Sequence, residues 1–152
     1  MRALILIAAL LAPAPAAAQV FDGRCNFHTQ ELDFGPYSAL NQAPHNTRGQ
    51  IEVTCNRVEG VITVQIAVSS GNSGQALDRT MNRGGGHILH YNIYTDPGHH
   101  RVIGDGSNGT VAPIRPLLNG GRATFGLYGQ IPPGQIVREG RYDDRLRVTV
   151  EF

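Results

Sequence analysis

The chain has 152 residues, with thirteen arginines and no lysine, twelve acidic residues, two cysteines and no tryptophan. That length suits one domain with its own core, and the near-neutral charge implies no nucleic acid or other polyanion as partner. Without lysine no Lys–Asn isopeptide cross-link can form, and without tryptophan the Trp-centred core of antibody-type sandwiches is excluded.

At the start of the chain Arg2 precedes an apolar run from Ala3 to Leu11, followed by the small-residue stretch APAPAAAQ. This is the pattern of a secretory signal peptide. Cleavage is expected before Gln19, which makes residues 1–18 the signal peptide and residues 19–152 a single exported domain. The apolar run is shorter than the roughly 20 residues of a membrane-spanning helix, so no transmembrane segment is expected in the mature chain. Removing Arg2 leaves twelve arginines against twelve acids, a formal charge of zero.

Cys25 and Cys55 are the two cysteines, and an even pair in an exported chain reads as a disulfide. A metal pair or a redox pair is the alternative, although the spacing matches no Cys-x-x-Cys motif.

The mature sequence shows no helical stripe. Period-two segments recur between clusters of Gly, Pro and Asn, which predicts an all-β fold. Residues 50–55 place Ile51, Val53 and Cys55 on one face, and residues 61–69 place Ile62, Val64, Ile66 and Val68 on one face. Residues 88–95 point Leu89, Tyr91 and Ile93 inward with His90 and Asn92 outward. Residues 122–131 point Phe125 and Leu127 inward. Residues 146–152 alternate without a slip, with Leu146, Val148, Val150 and Phe152 against Arg147, Thr149 and Glu151. Shorter pieces at 31–34 and 101–104 are expected as edge strands. The breakers SSGNSG, NRGGGH, GDGSNG, LNGG and IPPGQ lie between, and the whole fits a β-sandwich of six or seven strands.

The candidate chemistry is thin. His87 and His90 fall on opposite faces of an extended strand, and His99 and His100 sit in a loop. His87, His99 and His100 are therefore read as a weak candidate loop-binding surface, not as metal ligands. GDGSNG around Asp105 lacks the alternating acids and distal Glu of a calcium loop, and reads as a tight turn. RGGGH leads into a strand, whereas a phosphate cradle needs a helix N-terminus. Asp143 and Asp144 are adjacent and point to opposite faces, so they cannot flank a glycosidic bond. Ser73 lacks the strand-to-helix elbow of a catalytic serine. No enzyme, metal or cofactor is expected.

The succession LDFGPY, QIEVTCN, LDRTMN, LHYNIYTD, VIGDG, LYGQIPPGQ and GRYDDRLRVTVEF resembles the spore coat protein U domain family across nearly the whole mature chain. The pieces that carry it are Phe34-Gly35, Val53-Thr54-Cys55, Arg79 before Met81, Tyr91-Asn92-Ile93-Tyr94 leading to Asp96, Gly104-Asp105-Gly106, Tyr128-Gly129, and Gly140 with Tyr142. The family includes subunits of archaic chaperone-usher pili. The resemblance implies an incomplete immunoglobulin-like sandwich with an open groove, filled by a strand donated first by a periplasmic chaperone and then by a neighbouring pilus or coat subunit. It further implies an outer-membrane usher as a partner, and a position at the cell surface, in a pilus or in an extracellular coat. The groove would be bordered by Leu146, Val148, Val150 and Phe152 on the C-terminal strand.

Polymerising subunits carry a donor strand ahead of the first cysteine, and filling a groove of four or five pockets takes roughly ten residues. Residues 19–24 supply Val20 and Phe21 as their large apolar side chains, so the expectation is a subunit that receives a strand and sits at a fibre tip or terminus, or in a coat. The alternative from another class is a monomeric secreted module that binds carbohydrate or a surface.

Overall fold

The structure, a computed structural model, describes residues 24–152; the expected signal peptide and the segment 19–23 with Val20 and Phe21 lie outside the described residues. Eight strands occur among the described residues: β1 (Arg24–Gln30), β2 (His45–Asn56), β3 (Val61–Val68), β4 (Arg79–Gly84), β5 (His87–Tyr94), β6 (Ile114–Leu118), β7 (Arg122–Ile131) and β8 (Val148–Glu151). One 3-10 turn, Gly71–Ser73, follows β3. A five-stranded antiparallel sheet in the order β1-β2-β7-β5-β4 faces a three-stranded antiparallel sheet in the order β6-β3-β8.

The period-two pattern decides the core. Ile51 and Val53 of β2, Leu89, Tyr91 and Ile93 of β5, and Phe125 and Leu127 of β7 are buried on the larger sheet, and Val64, Ile66 and Val68 of β3 are buried on the smaller one. Two apolar faces closing on each other are what hold a sandwich together. Cys25 and Cys55 stand opposite each other on β1 and β2 and are joined by a disulfide, with their Cα atoms 4.1 Å apart. Closing a chain separation of 30 residues constrains the unfolded state by about 3 to 4 kcal/mol on the loop-entropy model.

Five of the expected strands are present with small shifts at their ends, and β2 is longer than expected, beginning at His45. Three strands lack the regular alternation and escaped the sequence reading. In β1 the inward residues are Cys25, Phe27 and Thr29, of which Phe27 and Thr29 are exposed. β4 is RTMNRG. β6 contains Pro116, which a strand tolerates at a sheet edge, where β6 lies.

The two expected edge strands are not strands. Residues 101–104 form isolated bridges, Tyr94 with Val102 and Ile103 with Val111. Residues 31–34 make side-chain partners in place of a ladder: Thr47 Oγ1 donates to the carbonyl of Asp33 at 2.6 Å, and the His45 ring bonds the carbonyl of Phe34. Asn92, expected outward, is 6 % exposed. Its amide oxygen accepts a hydrogen bond from Arg79 Nη1 at 2.8 Å, and a buried polar group persists where it is satisfied in this way.

Candidate functional site

In β1 the pairing with β2 sets Phe27 opposite Val53 and Thr29 opposite Ile51. Both β2 partners are buried, Val53 at 0 %, yet Phe27 on the same face is 54 % exposed. The cause lies in the opposite sheet. It has three strands against five, and Phe27 meets from across the sandwich the ring of Phe152, 6.4 Å away. On that smaller sheet β8 pairs with β3 through Val148 opposite Val68 and Val150 opposite Ile66. No described residue pairs with the other edge of β8. Unpaired backbone beside uncovered apolar side chains defines an open strand position.

A cleft of ≈ 1500 Å³ occupies this position. Its floor is the apolar face of the larger sheet, including Ile51, Leu89, Tyr91, Ile93 and Leu127. One rim is the chain after β1, where Leu32, Phe34 and Tyr37 are half-buried; the other is residues 137–148, where Val137, Tyr142, Leu146 and Val148 are half-buried.

Glycines set the first rim in place. Between Thr29 and Leu32 the inward side of the chain changes from odd to even residues. The crossing is possible because Gly49 leaves room: a Cβ there would stand 2.6 Å from the carbonyl oxygen of Gln30. Phe34 then lies over Gly129, where a Cβ would come within 2.7 Å of its ring, and meets Tyr91 edge-to-face with centroids 5.8 Å apart.

Cross-contacts fix the direction of the rims. The rings of Phe27 and Phe152 are 6.4 Å apart at one end. In the middle, Tyr91, which touches Phe34, donates its hydroxyl to Asp144 Oδ2 at 2.7 Å. At the far end the hydroxyl of Tyr37 donates to the carbonyl of Pro132 and accepts from the backbone N–H of Gln135. The rims therefore run antiparallel, 27 to 37 against 152 to 135.

Burial, and then the hydrogen bond to Asp144, push the Tyr91 phenol well above its ordinary pKa. Asp144 is held in turn by the backbone N–H groups of Asn72 and Arg145, both at 2.8 Å on Oδ1. Gly71, with φ 68°, allows this approach, since a Cβ there would collide with the carboxylate.

Of the residues expected to border the groove, Leu146 and Val148 line the cleft. Val150 is half-buried and lies further along β8, and Phe152, 48 % exposed, contacts Phe27 at the end of the cleft. The first rim was missed. Its sequence signal is the short alternation of half-buried Leu32 and Phe34 with exposed Glu31 and Asp33, the pattern that suggests an edge strand.

The histidines are brought to no common point. His87 begins β5 and is half-buried. His99, with φ 56°, sets its ring edge-to-face on Tyr94 with centroids 5.1 Å apart. His100 bonds the Asp96 carboxylate at 2.8 Å, which holds that carboxyl below its ordinary pKa. No group of three or more His, Cys, Asp or Glu residues suited to a metal occurs among the described residues. Asp105 accepts from the backbone N–H and hydroxyl of Ser107, as in a tight turn. Asp143 and Asp144 diverge, the first forming a backbone bridge with Asn82.

The pattern of the family described as Spore Coat Protein U domain matches residues 12–149. Among solved structures, one similar chain belongs to the CsuC–CsuE chaperone–tip adhesion subunit pre-assembly complex from archaic chaperone-usher Csu pili of Acinetobacter baumannii. It shares 18 % identity at a TM-score of 0.57, over 86 % of this chain and 40 % of that one, so the likeness spans less than half of that protein. Another is the P pilus rod subunit PapA, with 17 % identity and a TM-score of 0.54, over 84 % of this chain and 97 % of that one. At these identities the likeness is one of fold. No curated protein matches the chain in sequence.

Proposed function

The chain belongs to the Spore Coat Protein U domain family, and from that premise we propose that it is an exported, non-enzymatic subunit of a chaperone-usher pilus or of a surface coat. Its cleft is the position of a strand that another chain supplies. The observation that carries this reading is the exposure of Phe27, turned to the inner face beside fully buried Val53, opposite a β8 edge that no described residue pairs. An added strand would give that edge its hydrogen bonds and cover the apolar floor, which is recognition by β-augmentation. The partners on this reading are a periplasmic chaperone in transit, an outer-membrane usher and neighbouring subunits. Two similar folds come from proteins of pili, one of them in a complex with a chaperone.

Within this reading we place the chain at a tip or terminal position, or in a coat, because residues 19–24 carry two large apolar side chains where a groove-filling strand needs four or five. None of the described helical segments is long and apolar enough to cross a membrane.

Expression in a periplasm with and without a chaperone encoded beside it tests the proposal. A one-to-one complex that co-purifies, with poor recovery of the protein alone, is the expected outcome. Full recovery of a stable monomer without chaperone would favour the monomeric surface-binding module instead.

A further inference from the structure

A second concavity, of ≈ 610 Å³, opens on the outer face of the three-stranded sheet. Ala67 and Thr149, paired across β3 and β8, belong to that outer face, since their neighbours Ile66 and Val68 are buried inward. The walls come from two loops, residues 74–77 after the 3-10 turn and the turn at 105–110. Val68 is the one residue that borders both this cleft and the open strand position.

Its chemistry differs from that of the strand position. Arg147 is part of the lining, with its backbone N–H held by Ser69 Oγ at 2.9 Å. Its guanidinium has no hydrogen bond or ion pair among the described residues. Asp105, the one acid on the lining, is turned to its own loop, where Oδ1 accepts from the N–H and hydroxyl of Ser107. Hydroxyl and amide groups of Ser70, Gln75, Asn108 and Thr149 share the surface with the apolar side chains of Ala67, Ala76 and the exposed Leu77.

The walls are held rigid from beneath. Arg79, fully buried, donates to the carbonyls of Val68 at 3.3 Å, Ser69 at 2.8 Å, Ala76 at 2.9 Å and Ile103 at 2.8 Å. Three of those residues line the cleft, and Ile103 lies two residues before Asp105. A buried cation without a carboxylate among its hydrogen-bond partners is costly to keep. Here it fixes the end of β3, the loop after the 3-10 turn and the approach to the 105–110 turn relative to one another, which is the pre-organisation a binding site requires.

We propose that this cleft binds an acidic saccharide, with a sugar carboxylate on the Arg147 guanidinium and ring hydroxyls on the surrounding Ser, Thr, Asn and Gln side chains. A planar guanidinium is suited to bidentate recognition of a carboxylate. The site faces outward from β3 and β8, and the inference stands on the fold without the assembly reading.

Titration of the folded mature protein with D-glucuronate, D-glucose and acetate, followed by saturation-transfer NMR, tests it. Glucuronate should bind more tightly than either glucose, which lacks the charge, or acetate, which lacks the hydroxyls. Arg147→Gln should weaken glucuronate by at least about tenfold, the lower range for losing a hydrogen bond to a charged group. Arg147→Lys should retain part of the binding, and Arg141→Gln, on the rim of the other cleft, should leave it unchanged. The side chain of Arg147 is exposed, so these variants keep the fold. Binding of acetate as tight as that of glucuronate, binding that survives Arg147→Gln, or no saturable binding of glucuronate would each overturn the proposal.

Discussion

Arg79 donates to four backbone carbonyls and to the Asn92 amide oxygen while fully buried. Removing it strands those acceptors in the interior, at about 1 to 3 kcal/mol for each buried group left unsatisfied. Arg79→Met is therefore expected to cost at least about 3 kcal/mol, read as a fall in the urea midpoint. Arg79→Lys should recover little, because an ammonium cannot reproduce the planar fork of donors. Tyr91 gives a pH-dependent counterpart. Its folded pKa is raised, so the proton is held more tightly in the folded chain, and this contribution is fully present below the ordinary phenol pKa of about 10. As pH rises past that value the unfolded chain releases the proton first, and the contribution is progressively lost. Urea midpoints measured from about pH 8 to about pH 11 should fall more steeply for the native protein than for Tyr91→Phe, which in turn should be the less stable of the two at neutral pH.

β8 shows how an element divides its work between two faces. Val148 and Val150 are half-buried against the core, whereas Thr149 is exposed on the outer side. A carboxylate at either valine would meet an apolar surface without a partner. Val148→Asp or Val150→Asp is expected to abolish chaperone capture in co-purification, and Thr149→Asp to leave it largely intact; equal losses on both faces would count against the strand position. The elements legible in the sequence are those where alternation is strict. β2, β3, β5, β7 and β8 were readable because apolar side chains recur at every second residue. β4 was not, since its Arg79 and Thr80 are buried through hydrogen bonds and neighbours that only the tertiary fold supplies. β1 was not, because Phe27 and Thr29 face a position with no described strand over it and carry no run of apolar residues. Half of the candidate site was readable in the tail at Leu146 and Val148. The other half, at Leu32, Phe34 and Tyr37, depends on a chain crossing that Gly49 and Gly129 permit. Nothing in local periodicity encodes that crossing.

For the molecule as a whole, a strand position that no described residue fills is expected, on the proposed reading, to make stability depend on an occupant. A synthetic peptide of ten or more residues with alternating apolar side chains should bind the folded protein and raise its Tm. At a hundredfold excess over Kd this linkage amounts to about 2.7 kcal/mol, which for a domain of this size is roughly 10 °C. An unchanged Tm at saturating peptide would argue that the cleft is not a strand site. The edges of the two sheets are not equivalent. β6 carries Pro116, which removes a backbone donor from that edge, and β4 is bridged to Asp143 through Asn82, while among the described residues no strand pairs the outer edges of β1 and β8, and β8 borders the cleft. The ends of the cleft are crossed as well, by the rings of Phe27 and Phe152 on one side and by the hydroxyl of Tyr37 with Pro132 and Gln135 on the other. On the strand-addition reading, a segment seated between these contacts is laid in sideways, and a segment laid in sideways needs no loose end: folded bodies can hang from both of its termini while it is seated.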